Sequence, residues 1–374
     1  MNQYFATVAR GLEAIAAQEL EGLGAQLVQP GVAGVHFEGD GALLYQVNLW
    51  ARIPFRILLK LQEFPCYGAD DLYRGAQSID WSQYLEPRHT LAVAATGGNR
   101  ALNHTHFTAL QVKNALVDQQ RQQFGQRSSV DTRNPDVQIN LHIEPDRAIL
   151  SLDSSGESLH RRGYRPAIGV APLKETLAAA LIEMAEWDPK LPFLDPLCGS
   201  GALPLEAGLK SLNIAPGLFR QRFGFETWPN FDAELWQALR QEAKGRRKRT
   251  GIGPIIGSDR DPEMIRQARA NAQQCGISAQ VQFTQQDIAD WEAPYDIGLI
   301  ICNPPYGERL GQGEKLGDFY QLLGNVLKQR FKGWTAFVLS GNKELSQHIG
   351  LKSAHRLTVY NGGLKCQLLK YELY

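Results

Sequence analysis

The chain has 374 residues, a length that suits about two or three domains, and its 43% hydrophobic and 21% charged residues are those of an ordinary soluble globular protein. Its 39 basic residues balance its 39 acidic ones, so overall charge gives no reason to expect nucleic acid, and any such surface has to be a local patch. No apolar run approaches the roughly 20 residues of a membrane span; the N-terminus lacks an apolar signal core and the five cysteines lack CxxC spacing, so no membrane, zinc site or disulfide framework is expected and a reducing cytoplasm fits best.

In chain order, YFATVA reads as a strand and GLEAIAAQELEGLG as a helix that ends in glycine. GVHFEG is a second short strand, GALLYQVNLW a second helix and RIPFRILLKLQEF a long β-prone segment, which together make a small α+β unit. From about residue 70 the rhythm changes. LAVAAT is a strand and NHTHFTALQVKNALVDQQRQQFG a long helix, with Asn103 the expected cap; VQINLHIE and RAILSLD form a hairpin that turns at Pro145-Asp146. ESLHRRGYRPAIGVAP, rich in Arg, Gly and Pro, is expected to be a linker, and LKETLAAALIEMAEW after it an amphipathic helix. Arg161, Arg162 and Arg165 in this stretch either grip phosphate or tie the linker to the domains.

From residue 193 onward, strand, glycine turn and helix repeat: FLDPLCGSGALPLEAGL, PIIGSDRDPEMIRQARANAQQCG, VQFTQQDIADW, YDIGLIICNPPYG with DFYQLLGNVLKQRF, then TAFVLSGN. HRLTVYNGG and LKCQLLKYELY pair as a final hairpin across Asn361-Gly362-Gly363. Such alternation predicts a mostly parallel sheet covered by helices on both faces, here ending in an antiparallel hairpin. KGRRKRTG is the one dense basic stretch, read either as a solvated loop or as a local nucleic-acid contact.

The turn Cys198-Gly199-Ser200-Gly201 lets the backbone approach a ligand. It lacks the third glycine of a dinucleotide site, where Pro204 stands, and the Gly-Lys-Ser/Thr of a phosphate loop. Asp195 precedes these glycines, Asp259 ends the next strand in IIGSD, and Asp287 ends the one after in TQQDIADW. Carboxylates at the C-terminal ends of successive strands converge on the crevice where open α/β sheets bind ligands. An amino group, a ribose and an adenine amine would use all three, which points to S-adenosylmethionine; the plain alternative is that each Asp only caps the helix after it. For Asp261, next to Pro262, capping is preferred.

NPPY, residues 303–306, follows in the expected place, after the fourth strand. The nitrogen of a base amine is a poor nucleophile because its lone pair is delocalised into the ring. The Asn303 side-chain oxygen and the Pro304 carbonyl can each accept one of its N–H groups and aim the lone pair at a methyl donor, Pro304 and Pro305 fix that geometry in advance, and Tyr306 can stack on the base. Cys198 and Cys302 flank this place and read as small buried apolar residues. Tyr164, Trp228 and Phe231 read as packing residues.

DPLCGSG, GSDRDP, QDIADW and NPPYGERL in this order resemble class I amino methyltransferases that modify nucleic-acid bases. LHRRGYRPAIGVAPLKETLAAALI, RFGFETWPNFDAELW and the YGERL extension resemble, more closely, THUMP-domain RNA methyltransferases, the bacterial 23S rRNA guanine-N2 methyltransferases of the RlmL type. The resemblance runs over essentially the whole chain. It implies a ferredoxin-like subdomain at 1–65, a THUMP domain that binds RNA at 66–157, a linker at 158–172 and a Rossmann-like methyltransferase domain at 173–374. It implies S-adenosylmethionine contacts from Asp195, Pro196, Cys198, Gly199, Gly201, Asp259, Arg260, Asp287, Ile288 and Asn303, with the substrate amine at Asn303, Pro304, Pro305 and Tyr306. Arg260 has a solvent-facing alternative. The implied partner is 23S rRNA, with tRNA, an adenine-N6 reaction and a non-catalytic RNA-binding factor as alternatives. The second methyltransferase that some family members carry is not present, so one activity is expected.

Overall fold

A computed structural model describes residues 1–165, 173–306 and 313–374. The first unit runs β1 (Asn2–Thr7), α1 (Glu13–Gly22), β2 (Gln26–Gly31), β3 (Gly34–Gly39), α2 (Gly41–Trp50) and β4 (Arg56–Pro65). The second runs α3 (Ala69–Gln77), β5 (Thr90–Gly97), α4 (Thr105–Phe124), β6 (Ser129–Val130), β7 (Val137–Ile143) and β8 (Arg147–Asp153). The strand β2 was not expected. It is an edge strand with Pro30 and a register shift between Gln26 and Gln29, and most of it is exposed, so it lacks the apolar alternation by which strands are recognised. The cap of α4 is His104, whose Nδ1 accepts from Phe107 N at 3.3 Å, and not Asn103.

These two units do not have separate sheets. β4 pairs with β8 and joins them into one eight-stranded sheet, β2-β3-β1-β4-β8-β7-β5-β6.

The remainder runs α5 (Glu175–Met184), β9 (Phe193–Asp195), α6 (Ala202–Ser211), α7 (Ala233–Gly245), β10 (Ile255–Asp259), α8 (Pro262–Gln274), β11 (Val281–Gln285), β12 (Leu299–Cys302), α9 (Gly313–Arg330), β13 (Thr335–Ser340), α10 (Lys343–Gln347), β14 (His355–Asn361) and β15 (Leu364–Glu372). Its seven strands lie in the order β11-β10-β9-β12-β13-β15-β14. The first five are parallel and the last two form the antiparallel hairpin. Phe193, Leu194, Leu299, Ile300, Ile301 and Cys302 are all buried, as continuous apolar runs must be when helices cover both faces. Strand order reverses between β9 and β12, so a crevice opens past their C-terminal ends.

α5 is not amphipathic. Residues 175–182 are buried on every side because this helix is wedged between α6 and α1 of the first unit.

The described part of the expected linker is packed rather than loose. Arg162, 2% exposed, donates to the carbonyls of Arg52 at 2.5 Å and Leu159 at 2.8 Å and lies 3.4 Å from Glu206 Oε1. Tyr164 donates to that same oxygen at 2.7 Å. Arg165 is buried 3.2 Å from Glu175, and Arg161 stays exposed beside Glu157. Arg220 reaches the carbonyls of Ser155, Glu157, Ser158 and Arg161. Arg162 and Arg165 therefore tie chain segments together, whereas the Arg161 side chain pairs only with its near neighbour in the chain and faces solvent. Residues 166–172 lie outside the described part. One hydrophobic core runs from β1 through Tyr45, Phe223, Phe225 and Trp236 into the seven-stranded sheet.

Candidate active site

The site forms at the reversal point. Asp195 ends β9 opposite Gly257, two positions before Asp259 along the neighbouring strand. Its Oδ1 accepts from Leu197 N at 3.1 Å, which starts the turn, and Cys198 N donates to Ser258 O at 2.8 Å, which stitches the turn to β10. Gly199 and Gly201 have φ of +52° and +91°, the left-handed region that disfavours side chains. The two glycines differ in purpose. A Cβ on Gly201 would lie 2.9 Å from the Phe283 ring, so that glycine serves close packing. A Cβ on Gly199 would meet nothing within 4 Å, so that one borders open space. Pro196 and Cys198 are buried beneath the turn.

The Asp259 carboxylate accepts from Gly199 N at 3.0 Å and from Asp261 N at 2.9 Å, which aims it at the turn and leaves it half-buried. Asp261 caps α8 by accepting from Glu263 N at 2.8 Å, as expected. Arg260 is exposed. β11 stops at Gln285, so Asp287 does not end that strand; it caps the short 3-10 turn Ile288–Asp290 by accepting from Ala289 N at 3.0 Å. Ile288 is buried, and Arg330 braces this turn through the carbonyls of Ala289 and Trp291. Asp195 is 2% exposed, and burial, with a smaller push from Asp259, raises its carboxyl well above the usual range. The same burial raises the Cys198 and Cys302 thiols, with Asp195 adding to both, so neither is poised as a nucleophile.

Asn303 follows the last residue of β12. Its Oδ1 is buried and has no hydrogen-bond partner among the described residues. A buried acceptor left open costs about 1–3 kcal/mol, and this one lies just past the C-terminal end of a central strand, where an incoming donor can use it. Pro304 is buried and Pro305 exposed. Tyr306 is half-buried; its hydroxyl accepts from Asn361 Nδ2 at 3.1 Å and its ring lies against Gly341, where a Cβ would meet Cδ2 at 2.6 Å. Burial holds the phenol above its usual pKa, so it stays neutral. In the sequence Asn361 reads only as part of a hairpin turn and Gly341 as the end of a strand segment; the fold brings them beside Tyr306, Gly341 just past the end of β13 next to β12 and Asn361 from the closing hairpin. The GERL stretch, 307–310, lies outside the described residues.

The strand order and this crevice define a class I methyltransferase that uses S-adenosylmethionine. Open space above Gly199, half-buried carboxylates at Asp259 and Asp287, and the open Asn303 acceptor are a set of acceptors around a space that suits the amino, ribose hydroxyl and adenine amine donors of that cofactor. Residues 162–370 match the family described as RMKL-like, methyltransferase domain; residues 66–153 match the THUMP domain and residues 3–58 the RlmL ferredoxin-like domain. The chain therefore belongs to the RMKL-like methyltransferase family. It is 59% identical over 371 residues to "Putative RNA methyltransferase slr0064" of Synechocystis sp., covering 99% of this chain and 97% of that one. It is 42% identical to the ribosomal RNA large subunit methyltransferase K/L of Syntrophotalea carbinolica over 99% of its own length, but spans only 53% of that relative. The crystal structure of SMU.472 complexed with SAH superposes with a TM-score of 0.89 at 32% identity, covering 100% of this chain and 98% of that one.

Proposed function

We propose that this chain methylates the exocyclic N2 of a guanine in 23S rRNA. The observation that carries the reading is the buried, unpartnered Asn303 Oδ1 at the end of β12, beside the glycine turn. S-adenosylmethionine supplies the methyl group.

Asp259 is assigned to the ribose hydroxyls and Asp287 to the adenine amine. Gly199 lets the backbone approach the ligand, with Gly201, Pro196 and Cys198 shaping the turn below and Ile288 packing beside Asp287. Arg260 has no partner in this role and keeps the solvent-facing one. Asp195, the most enclosed of the acids, orders the turn and faces the amino-acid end. Asn303 Oδ1 and the Pro304 carbonyl each accept one amine N–H, which draws the nitrogen toward tetrahedral geometry and aims its lone pair. The two prolines hold these acceptors before the base arrives, so little reorganisation remains at the moment of transfer. Tyr306 offers a neutral ring to the base. No strong base is required if the proton leaves after the methyl group has arrived.

The RNA assignment draws on the THUMP and RlmL ferredoxin-like matches and on relatives named ribosomal RNA large subunit methyltransferases. The purified protein with labelled cofactor is expected to modify protein-free 23S rRNA from a strain that lacks the gene. Label in tRNA alone would overturn the rRNA assignment. Digestion and mass spectrometry should return N2-methylguanosine; N6-methyladenosine would overturn the choice of base.

A further inference from the structure

Tyr306 follows two prolines and lies beyond the end of β12, so no strand ladder holds it. Its position is set from 55 residues further along the chain, where Asn361 Nδ2 donates to its hydroxyl at 3.1 Å. The Cys366 thiol points at the same oxygen from 3.8 Å. On one side the ring meets the backbone of Gly341, where a Cβ would come within 2.6 Å of Tyr306 and 2.7 Å of Leu364. The hydroxyl and one side of the ring are therefore occupied by the protein, and the half-exposed remainder is what a flat ligand can reach.

Asn361 is itself firmly seated. It is the last residue of β14 and pairs with Leu364 across the tight Gly362-Gly363 turn. Two residues earlier in β14, Val359 is fully buried. The first unit backs this strand from outside: Gly11, with φ of +86°, lies so close that a Cβ there would be 2.5 Å from Thr358 O. That turn is in turn pinned by Glu13, which accepts from Gly11 N at 2.8 Å and from Ala33 N at 3.2 Å.

We propose that Asn361 is a positioning residue that holds the Tyr306 ring in place for the substrate base, with the first unit buttressing β14 behind it. This rests on the reading of Tyr306 as the surface that meets the base. Without Asn361 the hydroxyl keeps only the longer Cys366 contact, the ring is held less firmly, and ordering it only when the substrate arrives subtracts from affinity for the transition state.

The test is a double-mutant cycle in the full chain, with protein-free 23S rRNA and labelled S-adenosylmethionine as probes. Asn361→Ala is expected to lower kcat/KM for RNA about five- to tenfold while the cofactor Kd stays at the wild-type value. Tyr306→Phe removes the hydroxyl and keeps the ring, and a similar loss is expected. Because both changes cut one contact, the double variant should be no worse than the poorer single variant. A double variant whose loss is the product of the two single losses would overturn the proposal, since Asn361 would then act on the hairpin as a whole. Wild-type activity in Asn361→Ala would overturn it as well. Tyr306→Ala separates this from the underlying reading: full activity in that variant sinks the role of Tyr306, whereas a large loss there together with an additive cycle sinks only Asn361.

Discussion

The backbone N–H of Gly199 donates to the Asp259 carboxylate at 3.0 Å, so the turn after β9 and the acid at the end of β10 are one constructed unit. Asp259 keeps acceptor capacity on both oxygens, and the glycine opens the space that capacity faces.

The two glycines of this turn should fail differently. Gly201→Ala drives a methyl into Phe283 at left-handed φ, with an expected loss of about 2–4 kcal/mol in a denaturant titration. Gly199→Ala carries only the backbone cost, about 1–2 kcal/mol, yet its methyl enters the open space. The Kd for S-adenosylmethionine should rise about tenfold or more, read by calorimetry. Equal effects on stability and unchanged cofactor binding would remove Gly199 from the site.

Asn303→Ala deletes an acceptor with no protein partner among the described residues, so the fold should lose little. A drop in kcat of about 10²–10³ is expected, on the scale of removing one preorganised hydrogen-bonding group from a transition state. Methylation near the wild-type level in this variant would overturn the reading of NPPY.

Glu206 is completely enclosed between Arg52, Arg162 and Tyr164, and Arg52 belongs to the first unit. Glu206→Ala leaves buried cations uncompensated, with an expected cost of about 3–5 kcal/mol in urea unfolding. The same geometry means that removing residues 1–155 deprives Glu206 of Arg52 and uncovers α5, so the first two units should not be separable from the methyltransferase fold without loss of folding. A folded, cofactor-binding fragment beginning after residue 155 would refute this.

Glu19 accepts from Arg52 N at 2.8 Å and Ile53 N at 3.1 Å, but burial outweighs these bonds and raises its carboxyl to about 7. Between its unfolded value near 4.5 and about 7, the native state holds a proton that the unfolded chain has released. Stability from this group is therefore greatest at low pH and falls as pH rises through that window. The span corresponds to on the order of 3 kcal/mol at most. Glu19→Gln should flatten this slope when unfolding is measured from pH 5 to pH 8; an identical slope in both proteins would show that another group sets it.

Much of this was legible in order along the chain. The strand, turn and helix rhythm from residue 193 placed Asp195, Gly199, Gly201, Asp259 and Asn303 on one side of a parallel sheet, because parallel strands all end on the same edge. What misled was local. Asn103 looked like the better cap, but His104 occupies it, and α5 looked one-sided because neighbours on its polar side come from remote segments. Asp287 read as a strand end and proved to be the cap of a 3-10 turn.

The amino-acid sequence by itself determined where the glycine turn and NPPY fall, at the ends of β9 and β12, since each carries its local backbone geometry within a few residues. Only the tertiary structure decided what steadies that geometry. Asn361 against Tyr306, Arg52 against Glu206 and β4 against β8 are pairings between segments far apart in the chain. Their residues are ordinary in composition and spacing. Contacts of that kind exist only once burial of the shared core has brought the segments together, so no local pattern announces them.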